Sequence, residues 1–397
     1  MVAGHLQEKK GLYYIVLSYS DREGKRKTKW LPTGLSIKGN KKKAEALLLE
    51  ARHNFDPKNI PIGSDMPFAT FLEEWLEITK SSVQLITYSS YCNMGKGTII
   101  PYFRKRGIPL NTLHPKDIQG FYTQELKRVK ASTVIHYHAI IRKALQYAVK
   151  TELIPSNPAD KVERPKMERF VGSFYDSGEV NKLFEAAKGT KLEIPVMFGA
   201  FYGLRRSEAV GLRWDAFDFK SDTFTIKHTV TTCNVDGKRI LIAADTTKTK
   251  SSMRTLPLIP QFKERLLELK QEQEYNRKLC GRSYNTEYLD YLCVDEMGDL
   301  LKPNYITASF KLLLERSGLR MIRYHDLRHT AGSLLLANGI PMKQIQDWLG
   351  HSDFSTTANI YAHLDYSSKV ISANALVDGL NLQGLKKFSP RELDKNG

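Results

Sequence analysis

The chain has 397 residues, 41% of them hydrophobic, and a formal net charge of +17, with a pI near 9.5. That length exceeds one ordinary domain and predicts two or three. The basic balance points to a polyanionic partner, nucleic acid ahead of an anionic membrane surface, with a merely solubilising charged surface as the plain alternative. Cys92, Cys233, Cys280 and Cys293 form no C-x-x-C pair, so neither a disulfide framework nor a cysteine zinc site is expected. The N-terminus lacks a signal-peptide apolar core, and no run approaches the ~20 apolar residues of a membrane span. A protein of the reducing cytoplasm is the expectation.

In chain order, residues 1–60 read as a small basic module. "GLYYIVLSYSD" and "KRKTKWLPTGL" predict two strands joined as a hairpin, and "NKKKAEALLLEARHNF" predicts a helix capped by Asn40. The module holds 13 Lys and Arg against 6 Asp and Glu. A basic twisted ribbon can enter a DNA major groove, and a solvated strand face is the other reading. Three prolines and a glycine in "DPKNIPIGSDMP" predict a linker.

Residues 68 to about 160 are helical in pattern. Phe68, Phe71, Leu72, Trp75 and Leu76 fall on one face of the first helix. "ASTVIHYHAIIRKALQYAVKTELI" is another amphipathic helix, with Ser132 its expected cap. The stretch predicts a four- or five-helix domain, followed by a second linker, "PSNPADKVERPKME". From Phe170 the pattern mixes helices with two or three short antiparallel strands between Thr223 and Pro260.

The chemistry concentrates near the end. In "RYHDLRHTAG", His325 and His329 are four apart, close to the H-E-x-x-H spacing of zinc hydrolases. Asp326 would then replace the glutamate, with a shorter reach, and the fixed charge of Arg328 would stand beside a cation. The competing reading needs only His325 and Arg328. A guanidinium fork suits phosphate oxygens, and a nearby histidine can move a proton. A polar helix start without chemistry is the third reading. Downstream, Gly339 and Pro341 separate two helices. Gly350 ends the second and leaves His351 in an exposed turn. Ser355 is then expected to cap a helix carrying Tyr361.

Together, "HDLRHTAGSLLLANG" and "LGHSDFSTTANIYAH" resemble the second conserved box of the tyrosine recombinases, the phage- and transposon-integrase family. "YGLRRSEAVGLRW" resembles the first box. The resemblance covers about 170–375 and, by layout alone, the whole chain. It implies a multidomain, mainly α fold with small β parts. Residues 1–60 would be an arm-type DNA-binding domain of basic β-ribbon plus helix, and 66–160 a helical core-binding domain. Residues 170–397 would be a mixed, mostly helical catalytic domain with a C-terminal helix or tail.

Residue roles follow from the same resemblance. Arg205 corresponds to the first phosphate-clamping arginine, with Arg206 its neighbour, and Arg328 to the second. Lys248, with Lys250 and Arg254 close by, corresponds to the lysine that protonates the leaving 5′ oxygen. His325 would be an acid/base residue, His351 a hydrogen-bond donor to the scissile phosphate, and Tyr361 the nucleophile that becomes linked to the 3′ phosphate. Two arginines, a lysine and a histidine can meet the transition-state charge without a metal or cofactor. His329 becomes structural, and Trp214 and Trp348 belong to the core.

The implied partner is double-stranded DNA, at core crossover sites and arm sites. Lys25, Arg26, Lys27 and Lys29 are the DNA-contact candidates. The implied assembly is a homotetramer on two duplexes, with the terminal helix packed on a neighbour or in cis. An excision or directionality factor and a host DNA-bending protein are the accessory factors such enzymes use. A zinc hydrolase built on His325 and His329, or a non-catalytic DNA-binding regulator, would be the outcome if the resemblance misleads.

Overall fold

The computed structural model describes residues 3–20, 26–55, 65–167, 173–245 and 253–361. Two compact units divide the chain, residues 1–168 and 169–397.

The first unit begins with β1 (Ala3–Lys9), β2 (Leu12–Ser20) and β3 (Arg26–Ser36), an antiparallel sheet in that order, followed by α1 (Lys41–Asn54). β1 is an addition to the predicted hairpin. It joins β2 through Lys10 and Gly11, at φ of +50 and +77. Both values are positive, as a type I′ turn requires, and lysine in the first place conceals the usual Asn-Gly signal.

Directly paired residues share a sheet face. Gly4, Leu17 and Lys29 form one row, and a Cβ on Gly4 would lie 2.8 Å from Leu17 and 3.2 Å from Leu48 of α1. That face carries the helix. Lys29 Nζ lies 5.5 Å from the centroid of the Phe55 ring, just beyond α1, and Tyr19, the partner of Lys27, packs on the same ring at 5.1 Å. The helix-free face instead presents the row His5, Val16 and Trp30, with Tyr14, Ser18 and Arg26 in neighbouring rows. The basic candidates therefore split: Arg26 is on the free face, Lys27 and Lys29 are on the helix side, and Lys25 lies outside the described residues. Asn40 does precede α1, but its amide donates back to the Ser36 carbonyl at 3.1 Å instead of capping the helix.

The helical part runs through α2 (Phe68–Thr79), α3 (Leu85–Met94), α4 (Ile100–Arg106), α5 (Pro115–Glu125) and α6 (Ala131–Lys150). The five predicted apolar residues of α2 are all buried, and they meet Phe103, Phe121, Tyr137 and Ile141 in one core. Ser132 is the second residue of α6 and does not cap it; Lys130 holds the cap position without a side-chain bond. Of the first linker, residues 56–64 lie outside the described part. The second linker is partly folded structure. Asn157 is buried, donates to the Arg142 carbonyl at 3.0 Å and accepts from Ala159 N at 3.0 Å, which fastens this segment to α6.

The second unit contains α7 (Ser177–Ala187), α8 (Glu193–Phe201), α9 (Arg206–Val210), β4 (Phe217–Asp218), β5 (Thr223–Ile226), β6 (His228–Val235), β7 (Lys238–Asp245), β8 (Arg254–Pro257) and α10 (Pro260–Cys280). The chain closes with α11 (Pro303–Arg316), α12 (Asp326–Ala337), α13 (Met342–Leu349) and α14 (Phe354–Tyr361). Four strands, in two sheets, fill the span where two or three are predicted: β5 pairs β8 and β6 pairs β7. Phe198 and Tyr202, at the end of α8, sit among Phe217, Phe224 and Phe262, so this helix is enclosed by both sheet and helix side chains. Trp348 stacks on Tyr202 at 5.8 Å, and Trp214 packs against the same core. No helix among the described residues is long and apolar enough to cross a membrane.

Candidate active site

The first motif lies at the turn between α8 and α9. Gly203 has φ of +66, and a Cβ there would come within 2.4 Å of Leu349 Cδ2. Only glycine suits both the left-handed backbone and the close approach of α13. Arg205 follows at the start of α9, half-buried. Its N–H donates to Glu208 Oε2 at 3.0 Å and its Nη1 to Oε1 at 2.7 Å. Arg206 turns away to Thr307 on α11, so of the two arginines Arg205 is the one that faces the second motif.

The second motif supplies the other half. Arg328, on the first turn of α12, is 2% exposed. Its Nη1 donates to the Gly203 carbonyl at 2.7 Å, its Nη2 to the Leu349 carbonyl, and its Nε to His351 Nε2 at 3.2 Å. Arg205 Nη2 reaches the next carbonyl, that of Gly350, at 3.4 Å. Two arginines far apart in sequence therefore meet at one turn, where Gly350 ends α13 at φ of +67.

Glu208 balances part of this charge. Burial alone would raise its pKa, but Arg254, Arg205 and Arg328 outweigh that and hold the carboxyl below its ordinary value. Arg254 on β8 is itself buried. It donates to Glu208 Oε2 at 3.2 Å and, through Nε, to the Trp348 carbonyl at 2.9 Å. As a close neighbour of Lys248 in sequence it resembles an alternative for that role; in the fold it braces the two arginine motifs from beneath.

His351 is buried, not exposed as the turn suggested, because Gln346 holds its backbone and α14 covers its ring. Its Nδ1 lies 2.9 Å from Thr357 Oγ1. Burial, then Arg328 and Arg205, lower its pKa to about 3. His325, at the start of α12, has an exposed ring whose pKa is lowered by desolvation and then by Arg328. It is thus neutral at pH 7 and able to accept a proton.

The rings of His325 and His329 stand edge to face, 5.3 Å apart. The Asp326 carboxylate, which a metal site would need, is occupied by Arg323 through its N–H at 2.8 Å and its Nη2 at 2.6 Å. Among the described residues no three His, Cys, Asp or Glu side chains gather to hold a metal. Asp353, not Ser355, caps α14: its Oδ1 accepts from Ser355 N at 3.0 Å. Tyr361 is the last residue of α14, and its side chain lies outside the described part, as does Lys248.

Glu208 and Thr357 are site residues that the sequence analysis does not single out, and Arg254 enters it only as a neighbour of Lys248. Glu208 stands three residues after Arg205, a helix-start spacing that could have revealed it. Thr357 carries no such signal.

Residues 174–368 match the phage integrase family, and residues 67–126 match the N-terminal SAM-like domain of phage integrases. The chain belongs to the tyrosine recombinase family. It is a tyrosine-type site-specific DNA recombinase. A XerC-like tyrosine recombinase of Caldanaerobacter subterraneus is 26% identical over 331 residues, 79% of this chain and 83% of that one. Among solved structures, the Tn1549 transposon integrase in complex with a circular intermediate DNA shares the recombinase fold at a TM-score of 0.64 and 16% identity, over 78% of this chain and 99% of that one. A lambda integrase tetramer bound to a Holliday junction matches at 0.53 and 18% identity, over 89% and 94%.

Proposed function

We propose that this recombinase cuts DNA by attack of Tyr361 on a phosphodiester, forming a 3′-phosphotyrosyl link and releasing a 5′ hydroxyl. The link conserves the bond energy, so rejoining needs no external energy source. Arg205 and Arg328 hold the non-bridging oxygens and meet the charge that grows in the transition state. His325, neutral at pH 7, accepts the tyrosine proton. Lys248 protonates the leaving oxygen, and His351 donates to the phosphate. The observation that carries this reading is the convergence of Arg205 and Arg328 on the 349–351 turn, ten to twelve residues before Tyr361.

The integration or excision of a mobile element is the outcome we infer, with a tetramer acting on two duplexes in the cytoplasm, at the nucleoid. Proteins of similar fold support both points: one is a transposon integrase, and another was solved as a tetramer on a Holliday junction. Three working parts fit this role: residues 1–60 on arm sites, 66–160 on core DNA, and 170–397 for catalysis. We infer that the tail after Tyr361, which lies outside the described residues, packs on a neighbouring protomer, and that an excision factor and a host bending protein assist. On the arm module, the helix-free sheet face with Arg26, Trp30 and Tyr14 supports groove contact better than Lys27 and Lys29 on the helix side.

The decisive experiment uses a nicked suicide duplex carrying the end sequence of the element that flanks the gene. Covalent protein–DNA complex should form in the presence of EDTA and vanish with Tyr361→Phe while DNA binding persists. Loss of activity with chelator, together with an active Tyr361→Phe variant, would sink the reading.

A further inference from the structure

The proposed chemistry asks His351 to donate from Nε2 to a phosphate. In the structure that nitrogen instead accepts from Arg328 Nε, at 3.2 Å. A guanidinium has no acceptor, so Nε2 is unprotonated and the neutral ring carries its proton on Nδ1. Nδ1 faces Thr357 Oγ1 at 2.9 Å, and the hydroxyl accordingly accepts. Thr357 is completely buried. It lies on α14, one turn before Tyr361. With burial and two guanidiniums holding the imidazole pKa at about 3, a second ring proton is not available at neutral pH.

We propose that Thr357 is a positioning residue that selects the tautomer of His351, accepting from Nδ1 when Arg328 holds Nε2 and donating to Nδ1 when Nε2 serves the phosphate. The inference rests on the reading of His351 as a phosphate donor. A phosphate oxygen that enters takes the Nε–H of Arg328. Nε2 then loses its donor, and the ring proton passes by exchange with water from Nδ1 to Nε2. The Nε2–H donates to the phosphate, and the threonine O–H rotates to donate to Nδ1. No proton is gained or lost, and every ring nitrogen keeps a partner at both stages.

Only a group that both donates and accepts can do this in a closed pocket. A serine or threonine hydroxyl qualifies, whereas a valine of the same shape does not. Because the hydroxyl is carried on the helix that ends at Tyr361, occupation of the phosphate site is coupled to the helix bearing the nucleophile.

The test measures the rate of covalent complex formation on the suicide duplex, alongside duplex affinity and thermal midpoint. Thr357→Val should slow attachment about tenfold or more while affinity stays within about twofold. Thr357→Ser should recover most of that rate, and Thr357→Val should add nothing in a His351→Ala background. A Thr357→Val variant as fast as wild type, or an undiminished loss in the His351→Ala background, overturns the proposal.

Nitrogen-15 spectra of the histidines give a second reading that needs no folded variant. The His351 proton should sit on Nδ1 in the protein alone and on Nε2 with duplex bound. A proton on Nε2 in both states overturns the proposal. If the wild-type chain forms no covalent complex at all, the recombination chemistry itself fails, while the spectrum of the free protein still judges the tautomer.

Discussion

Glu208 accepts from Arg205 twice, once from its backbone N–H and once from its guanidinium, at 3.0 and 2.7 Å. The same carboxylate accepts from Arg254 at 3.2 Å. One buried acid thus orients the half-buried arginine and neutralises the buried one. Glu208→Gln removes the charge and keeps the shape. It should cost about 3 kcal/mol or more, because it leaves Arg254 as an uncompensated buried cation. Denaturant titration of the variant measures this, and a loss below about 1 kcal/mol would mean that Arg254 finds its compensation elsewhere.

Gly203→Ala places a methyl within 2.4 Å of Leu349 Cδ2, on a backbone at φ of +66. The strain and the clash act together, so the expected destabilisation is about 2 kcal/mol or more. Attachment to DNA should fall further than stability alone explains, because the Gly203 carbonyl is an acceptor for Arg328. An alanine variant with wild-type melting and wild-type attachment would show that α13 can yield.

Acid should weaken the second unit earlier than its carboxylates predict. The His329 and His351 rings have pKa values of about 4 and about 3 in the fold, against 6.5 ordinarily, with burial the first cause in both. The unfolded chain therefore binds more protons below pH 6.5. The stability these rings contribute is full above that value and is lost as pH falls from about 6.5 toward 4 and 3. Thermal midpoints from pH 8 to 5 should turn downward below 6.5, and His329→Gln should flatten the slope. An unchanged slope in that variant would assign the acid loss to other groups.

Arg26 lies on the helix-free sheet face and Lys29 on the opposite one. Arg26→Ala should weaken binding to arm DNA and lower its salt dependence by about one counterion. Trp30→Ala, which removes a ring 47% exposed on the same face, should weaken binding without changing the salt slope. Lys29→Ala should do less than Arg26→Ala, and the reverse order in a salt titration would place the DNA on the other side of the sheet.

The sequence made much of this legible, for reasons that differ by region. The face of α2 could be read because burial repeats with the helical period, and Phe68 through Leu76 are all core. The arginine motifs could be read because their residue types and order resemble a known chemistry. β1 was not legible, since a Lys-Gly turn lacks the usual signal and its exposed residues do not alternate strongly. His351 looked exposed because a residue after a helix-ending glycine normally faces solvent, and nothing local announces that α14 folds back over it. The bracing role of Arg254, named only as a neighbour of Lys248, and the presence of Thr357 were illegible for a common reason: their partners, Trp348 and His351, come from other elements, and tertiary hydrogen bonds have no sequence period.

The acceptors around Arg328 and Arg254 include the backbone carbonyls of Gly203, Leu349 and Trp348. The course of the main chain, more than any side chain, sets the spacing between the arginines. The side chains at 348 and 349 serve that course indirectly, by packing α13 against Tyr202 and Gly203. Length is another matter. Deleting one residue from α13 would rotate its end by about 100°, swinging the carbonyls at 348–350 away together. The site should tolerate substitution at the exposed positions of that helix, Lys343, Gln344 and Asp347, and should not tolerate any change in its residue count.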